Sequence, residues 1–80
     1  MHETRQRLTQ CFQLVFPELP QEAIAGASTD TVAAWHSLAA LTLMNVVEEE
    51  FALEIDLEEL ANLDSFEKFH SYLQRRLQIA

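Results

Sequence analysis

The fold is decided by residues 33–51, which read Ala-Ala-Trp-His-Ser-Leu-Ala-Ala-Leu-Thr-Leu-Met-Asn-Val-Val-Glu-Glu-Glu-Phe. From Ser37 onward, apolar side chains recur three and four residues apart, which is the spacing of one face of an α-helix. The positions expected to face a core are Ala40, Leu43, Met44, Val47 and Phe51. The stretch therefore predicts a helix over 37–51 that packs against the rest of the chain.

The opposite face of this helix is polar except at its first position. It carries Leu38, Thr42, Asn45 and Glu49 at helical spacing. Single exposed leucines are common on protein surfaces, but Leu38 directly follows a serine that is itself a candidate site. We therefore expect this face to contact partner proteins, beginning at Leu38.

The segment before this helix predicts one more helix and a long loop. Apolar residues recur at helical spacing over 4–16, and the two prolines of the chain then end the pattern. The connection over 17–34 is long for a compact helical domain, and we expect one short turn within it at 21–24. Trp35 is expected to pack this loop against the body of the domain.

The segment after it predicts two further helices. A short one over 57–61 is expected to present Leu57, Leu60 and then Leu63 to the core. The last begins at Asp64-Ser65-Phe66-Glu67, a capping-box pattern with Asp64 in place of the usual serine or threonine. Its apolar stripe is Phe66, Phe69, Leu73 and Leu77.

Together these patterns predict an all-α fold. We expect a small four-helix bundle with three longer helices, one short helix and a long loop between the first and second. Eighty residues bury too little surface for a deep catalytic pocket, so we expect one domain over 1–80 that is not an enzyme. Cys11 is the only cysteine, which excludes an internal disulfide, and we expect it to be buried on the first helix.

Charge and hydropathy restrict the partners. The net charge is −8, and residues 48–59 hold seven acids and no base. Such a surface repels nucleic acid and anionic lipid, and it attracts basic proteins; a merely solvated face explains the same pattern equally well. No run of 18 apolar residues and no signal-like apolar stretch is visible, so we expect no membrane insertion and a cytoplasmic protein.

Catalytic and metal sites find little support. His36 and Ser37 are adjacent, and neighbours on a helix do not face each other, so they cannot form a nucleophile and base pair. The histidines at 2, 36 and 70 share no ligand spacing, and Glu48-Glu49-Glu50 points its carboxylates in three directions. We expect no metal site.

Ser37 offers a different chemistry. It lies in the first turn of a helix, where unpaired N–H groups and the positive end of the dipole favour a phosphate ester. The alternative is that Ser37, or His36 before it, only caps the helix. The local pattern leaves both open.

The chain resembles the acyl carrier proteins. The resemblance is carried by Trp35-His36-Ser37-Leu38, by Glu48-Glu49-Glu50-Phe51 and Glu54-Ile55, and by the spacing to Asp64-Ser65-Phe66. It covers essentially the whole chain. In that family a serine in an Asp-Ser-Leu motif, at the start of the second of four helices, accepts 4'-phosphopantetheine from coenzyme A. The resemblance implies that Ser37 is the attachment residue.

The resemblance also implies partners and roles. A phosphopantetheinyl transferase would modify Ser37, an acyl- or aminoacyl-loading ligase would charge the arm, and downstream transferases or synthases would use the thioester. The carrier would be a monomer. The residues expected to recognise partners are His36, Leu38, Thr42, Asn45, Glu48 and Glu49. The residues expected to line an acyl pocket between the second and third helices are Met44, Val47, Ile55, Leu60, Leu63 and Phe69.

Three departures from the family pattern predict a specialised carrier. His36 replaces the usual aspartate, as in many peptidyl carrier domains, and Ala39 and Thr42 stand where fatty-acid carriers place acids. Leu60 and Phe69 are bulky where smaller residues are common, which predicts a short, polar or unsequestered cargo. The alternatives are an unmodified acidic four-helix interaction or regulatory module, and a small acidic inhibitor of a basic protein.

Overall fold

The computed structural model describes residues 3–77, which form five helices and, within that range, no strand. The helices are α1 Glu3–Val15, α2 Gln21–Ile24, α3 Ser37–Phe51, α4 Leu57–Leu60 and α5 Phe66–Leu77. The predicted all-α class is confirmed, and α3 has the predicted bounds. The helix count is one higher than predicted, because the short turn expected in the long loop is the one-turn helix α2. His2 lies outside the described residues.

The three long helices enclose one core, with α1 packed against both α3 and α5. The α1 and α3 helices run antiparallel, since the Arg7 Nε atom near the start of α1 lies 2.7 Å from the Glu50 carboxylate near the end of α3. At the other end, the Phe16 and Trp35 rings are 5.7 Å apart. The largest fully buried side chains are Leu8, Phe12, Ile24, Leu43, Val47, Phe66, Phe69 and Leu73.

Aromatic rings around Phe12 form the centre of this core. The ring centroids of Phe66, Trp35 and Phe69 lie 5.2, 5.4 and 5.9 Å from that of Phe12, all in edge-to-face geometry. Such pairs stabilise a core beyond the area that they bury. Trp35 is 4% exposed, which confirms that it anchors the end of the long loop.

The long loop is also tied to the start of α5. The Thr29 N–H donates to the Asp64 carbonyl at 3.0 Å, and the Phe66 N–H donates to the Ala27 carbonyl at 2.9 Å. These bonds satisfy backbone groups that a free loop would leave to water. The loop is therefore fixed at two places. The start of α5 holds its middle, and Trp35 holds the point where it meets α3.

The cap of α5 differs from the prediction. The helix begins at Phe66, so Ser65 is the capping residue, and its Oγ accepts a hydrogen bond of 3.1 Å from the Lys68 N–H. Asp64 does not take that place, because its carbonyl is held by the loop and its carboxylate pairs with Lys68 Nζ at 3.0 Å. The predicted capping role of Asp64 was wrong by one residue.

Three predicted core positions are more exposed than expected. Leu57 is 65% exposed and Leu77 is 40% exposed, whereas Ala40 is partly buried against the core. The α4 helix buries none of its four residues fully, because a single turn on the surface turns only one side inward. Leu60 takes that side and is partly buried, and Leu63 is buried as predicted.

Cys11 is buried, as predicted, on α1. Burial raises the pKa of its thiol from an ordinary 9.0 to about 11, and the nearby Glu50 carboxylate adds to the rise. Among residues 3–77, no helix combines the length and the apolar character needed to cross a bilayer.

Candidate functional site

Ser37 is the first residue of α3 and is exposed to solvent. Two residues earlier, the buried Trp35 fixes the incoming chain. Between them, His36 is extended (φ −112°, ψ −173°) and its carbonyl accepts the first hydrogen bond of the helix, from the Ala40 N–H at 2.8 Å. A buried anchor thus holds an exposed hydroxyl in a defined position.

The start of α3 is not closed by a side chain. His36 occupies the capping position, as one alternative expected, but its side chain makes no capping hydrogen bond. Ser37 is already helical and is not the cap. The first turn also contains no acid, so a negative group on Ser37 would meet free N–H groups and the positive end of the helix dipole without like-charge repulsion from that turn.

The predicted contact face of α3 is exposed as expected. Leu38 is 69% exposed, and Thr42, Asn45 and Glu49 are all exposed beside it. The Thr42 hydroxyl donates to the Leu38 carbonyl at 3.2 Å. Leu41, which sequence reasoning missed, is 39% exposed; its position three residues after Leu38 was the available signal.

Glu48 lies in a different environment from Glu49. Its carboxylate accepts a hydrogen bond of 2.7 Å from the Ile55 N–H and is partly buried. This bond fastens the loop that follows α3. Nothing in the sequence pattern indicated it, because the partner is seven residues away and beyond the end of the helix.

The six residues predicted to line an acyl pocket all belong to the packed core. Met44, Val47, Ile55, Leu63 and Phe69 are buried, and Leu60 is partly buried against them. Phe69 packs toward α1 and the loop, with its ring 5.9 Å from Phe12 and 6.3 Å from Trp35. These six side chains are therefore part of one packed core, and no open acyl pocket is formed among them in the described structure.

A groove of about 540 Å³ lies elsewhere, between the end of α1 and the last part of the long loop. Its lining is mostly apolar and is contributed by two segments, 15–19 and 31–34. Because α1 and α3 run antiparallel, the groove lies at the Ser37 end of the molecule. The sequence did not indicate it, since the two segments meet only through the tertiary fold.

Across residues 3–77, no three His, Cys, Asp or Glu side chains come together as a group that could hold a metal ion. No family model, curated protein or solved structure matches this chain.

Proposed function

We propose that this chain is an acyl carrier protein whose Ser37 hydroxyl bears a 4'-phosphopantetheine arm. The single observation that supports the proposal most is the exposed Ser37 at the open start of α3, next to the buried Trp35. A hydroxyl that must enter another enzyme's active site has to be exposed, and it has to be held in one place. The resemblance of the Trp-His-Ser-Leu motif gives the chemistry of the modification.

In the modification, the Ser37 hydroxyl loses its proton and bonds to the phosphorus next to pantetheine in coenzyme A. The pyrophosphate P–O bond of coenzyme A breaks, adenosine 3',5'-bisphosphate leaves with the second phosphate, and the serine proton is released. When bound, the arm would supply a terminal thiol that holds an acyl or aminoacyl group as a thioester. The chain itself anchors this group and presents it at high effective concentration to successive enzymes.

The proposed partners are a phosphopantetheinyl transferase, an acyl- or aminoacyl-loading ligase, and downstream transferases or synthases of a specialised biosynthetic pathway in the cytoplasm. The exposed Leu38 is suited to an apolar contact beside the arm. Glu49 remains available to steer a basic partner, whereas the carboxylate of Glu48 is already hydrogen-bonded.

A second candidate is an unmodified acidic interaction module. It is favoured by the exposed Leu57, which lies among acids that run from Glu54 to Glu59. Apolar side chains surrounded by charge are typical of protein contact sites. This candidate needs no change at Ser37, so the state of that serine distinguishes the two.

The test is intact mass after incubation with coenzyme A, magnesium and a broad-specificity phosphopantetheinyl transferase. We expect a gain equal to one phosphopantetheine, and no gain for Ser37→Ala. Ser71→Ala is the matched control, because Ser71 is also an exposed helical serine and should leave the gain unchanged. No gain with several transferases, or a gain that persists in Ser37→Ala, would overturn the proposal.

A further inference from the structure

We infer that the groove between 15–19 and 31–34, here called the α1-loop groove, receives an apolar acyl group carried on Ser37. This inference rests on the proposed function. It places the cargo between the end of α1 and the long loop, and it names the class of cargo as an uncharged acyl chain.

The α1-loop groove lies within reach of an arm on Ser37. The groove is formed where α1 ends, and α1 ends beside the start of α3. Its nearest lining residue along the chain is Ala34, whose carbonyl accepts a hydrogen bond of 3.0 Å from the His36 N–H. The three residue steps from Ala34 to Ser37 span at most about 10 Å. The extended phosphopantetheine arm is as long as roughly five residues and reaches about 17 Å. The end of the arm can therefore enter the groove.

The lining of the α1-loop groove suits an apolar chain. The floor and walls are apolar, and the polar exceptions are Glu18 and Thr31, both exposed. The apolar residues are Val15, Phe16, Pro17, Leu19, Val32 and Ala33, with Ala34 at the end nearest the anchor. A volume of about 540 Å³ falls within the range of sites that hold small molecules. An apolar chain placed there would leave water and contact mainly apolar side chains.

The core residues that were expected to line an acyl pocket differ from the α1-loop groove in being closely packed. Met44, Val47 and Leu63, which were expected to line an acyl pocket, are buried in one continuous core, and a chain could lie among them only by separating packed side chains. The α1-loop groove needs no such opening. The filled core led to the expectation of a short, polar or unsequestered cargo; the groove offers a longer apolar chain a place that the sequence did not show.

The test compares acetyl- and octanoyl-loaded protein, made from the two acyl-coenzyme A compounds with a broad-specificity transferase. We expect methyl NMR signals of Val15, Leu19 and Val32 to shift between the two forms. We also expect the octanoyl thioester to hydrolyse at least threefold more slowly than the same thioester on free pantetheine.

Filling the groove should abolish both effects. Ala34→Phe and Ala33→Phe each place a ring at an exposed position of the groove wall. Both variants are measured, so that the test still works if one of them folds poorly. Ala61→Phe adds the same ring at an exposed position beyond α4 and should change neither effect.

The outcomes separate this inference from the proposed function. If Ser37 accepts the arm but the shifts fall on Met44 and Leu60, or no methyl responds to chain length, the inference alone is overturned. The same holds if the groove proves to bind a partner's side chain and not the acyl group. If Ser37 is never modified, the proposed function and the inference fail together.

Discussion

The two ends of α3 are built in opposite ways. At its C-terminal end, Ala52 adopts the left-handed conformation (φ 54°) and its N–H donates to the Glu48 carbonyl. The Glu48 carboxylate bonds the Ile55 N–H, and Arg7 pairs with Glu50 while its guanidinium lies over the Phe51 ring. At its N-terminal end, His36 makes no capping bond and the first turn has no acid.

This difference shows where the molecule is held and where it is left open. The C-terminal end is fixed by side chains of α1 and α3 and by backbone groups of the loop that follows α3. At the N-terminal end the buried Trp35 anchors the chain two residues before α3, and Ser37 is exposed to solvent. An uncapped helix start costs stability, so this end of α3 can be stabilised by a side chain that supplies the missing cap.

Removing the anchor beneath the open end should have the largest effect. Trp35→Ala deletes a ring packed 5.4 Å from Phe12 and 5.7 Å from Phe16, and we expect it to lower the free energy of unfolding by about 3–5 kcal/mol. Urea denaturation followed by circular dichroism measures the change. Trp35→Phe should lose clearly less, and a loss below about 1 kcal/mol in Trp35→Ala would contradict the anchoring role.

High pH should lower the free energy of unfolding through the buried thiol of Cys11. The folded thiol has a pKa of about 11 against an ordinary 9.0, so the unfolded chain loses its proton first as pH rises. The free energy of unfolding should be unaffected below pH 9 and should fall between pH 9 and 11, by about 2–3 kcal/mol in total from this group.

Denaturation curves at several pH values measure this effect. Cys11→Ala is the control, because it removes the thiol while the other groups still titrate. Equal pH slopes for the two proteins above pH 9 would contradict the prediction.

Releasing the loop after α3 should have a smaller effect. Glu48→Ala leaves the partly buried Ile55 N–H without its partner, and we expect a loss of about 1–2 kcal/mol. Glu49→Ala is the matched control, since Glu49 is exposed and its loss should change stability by less than about 0.5 kcal/mol. Thermal unfolding of the pair decides whether Glu48 holds the loop; equal melting temperatures would show that it does not.

Closing the open end should stabilise the protein. His36→Asp introduces a side chain that can accept from the first-turn N–H groups and that suits the positive helix end, and we expect a gain of about 1 kcal/mol. His36→Ala should give no gain and no comparable loss, because His36 makes no capping bond to remove. Urea midpoints of both variants measure the difference, and a loss on introducing aspartate would contradict this account.

Relieving the left-handed residue at the fixed end should have the smallest effect. Ala52→Gly removes the steric cost of φ 54° and should raise the free energy of unfolding by about 0.5–1 kcal/mol. Ala61→Gly makes the same change at a right-handed cap with φ −61° and should give no gain. If both variants are destabilised alike, backbone strain at Ala52 is absent.

Much of the fold could be predicted from the sequence because helical periodicity is a local signal. The α3 bounds were predicted in full, and α1 and α4 were each predicted within one residue at either end. The errors arose where a local pattern was not enough. Leu57 was assigned to the core by spacing alone, but the one-turn helix α4 turns only Leu60 toward the core. Asp64 was assigned as a cap by pattern alone, but its carbonyl is held by the distant Thr29 N–H.

The candidate site divides in the same way. The position of Ser37 at a helix start and the exposure of Leu38 follow from residues within one or two turns, and the sequence determined them. The fastening of Glu48 to Ile55, the packing of Phe69 toward α1, and the α1-loop groove were decided only by the tertiary structure. Each of these joins segments far apart in sequence or beyond a helix end, where local spacing carries no information about which surfaces meet.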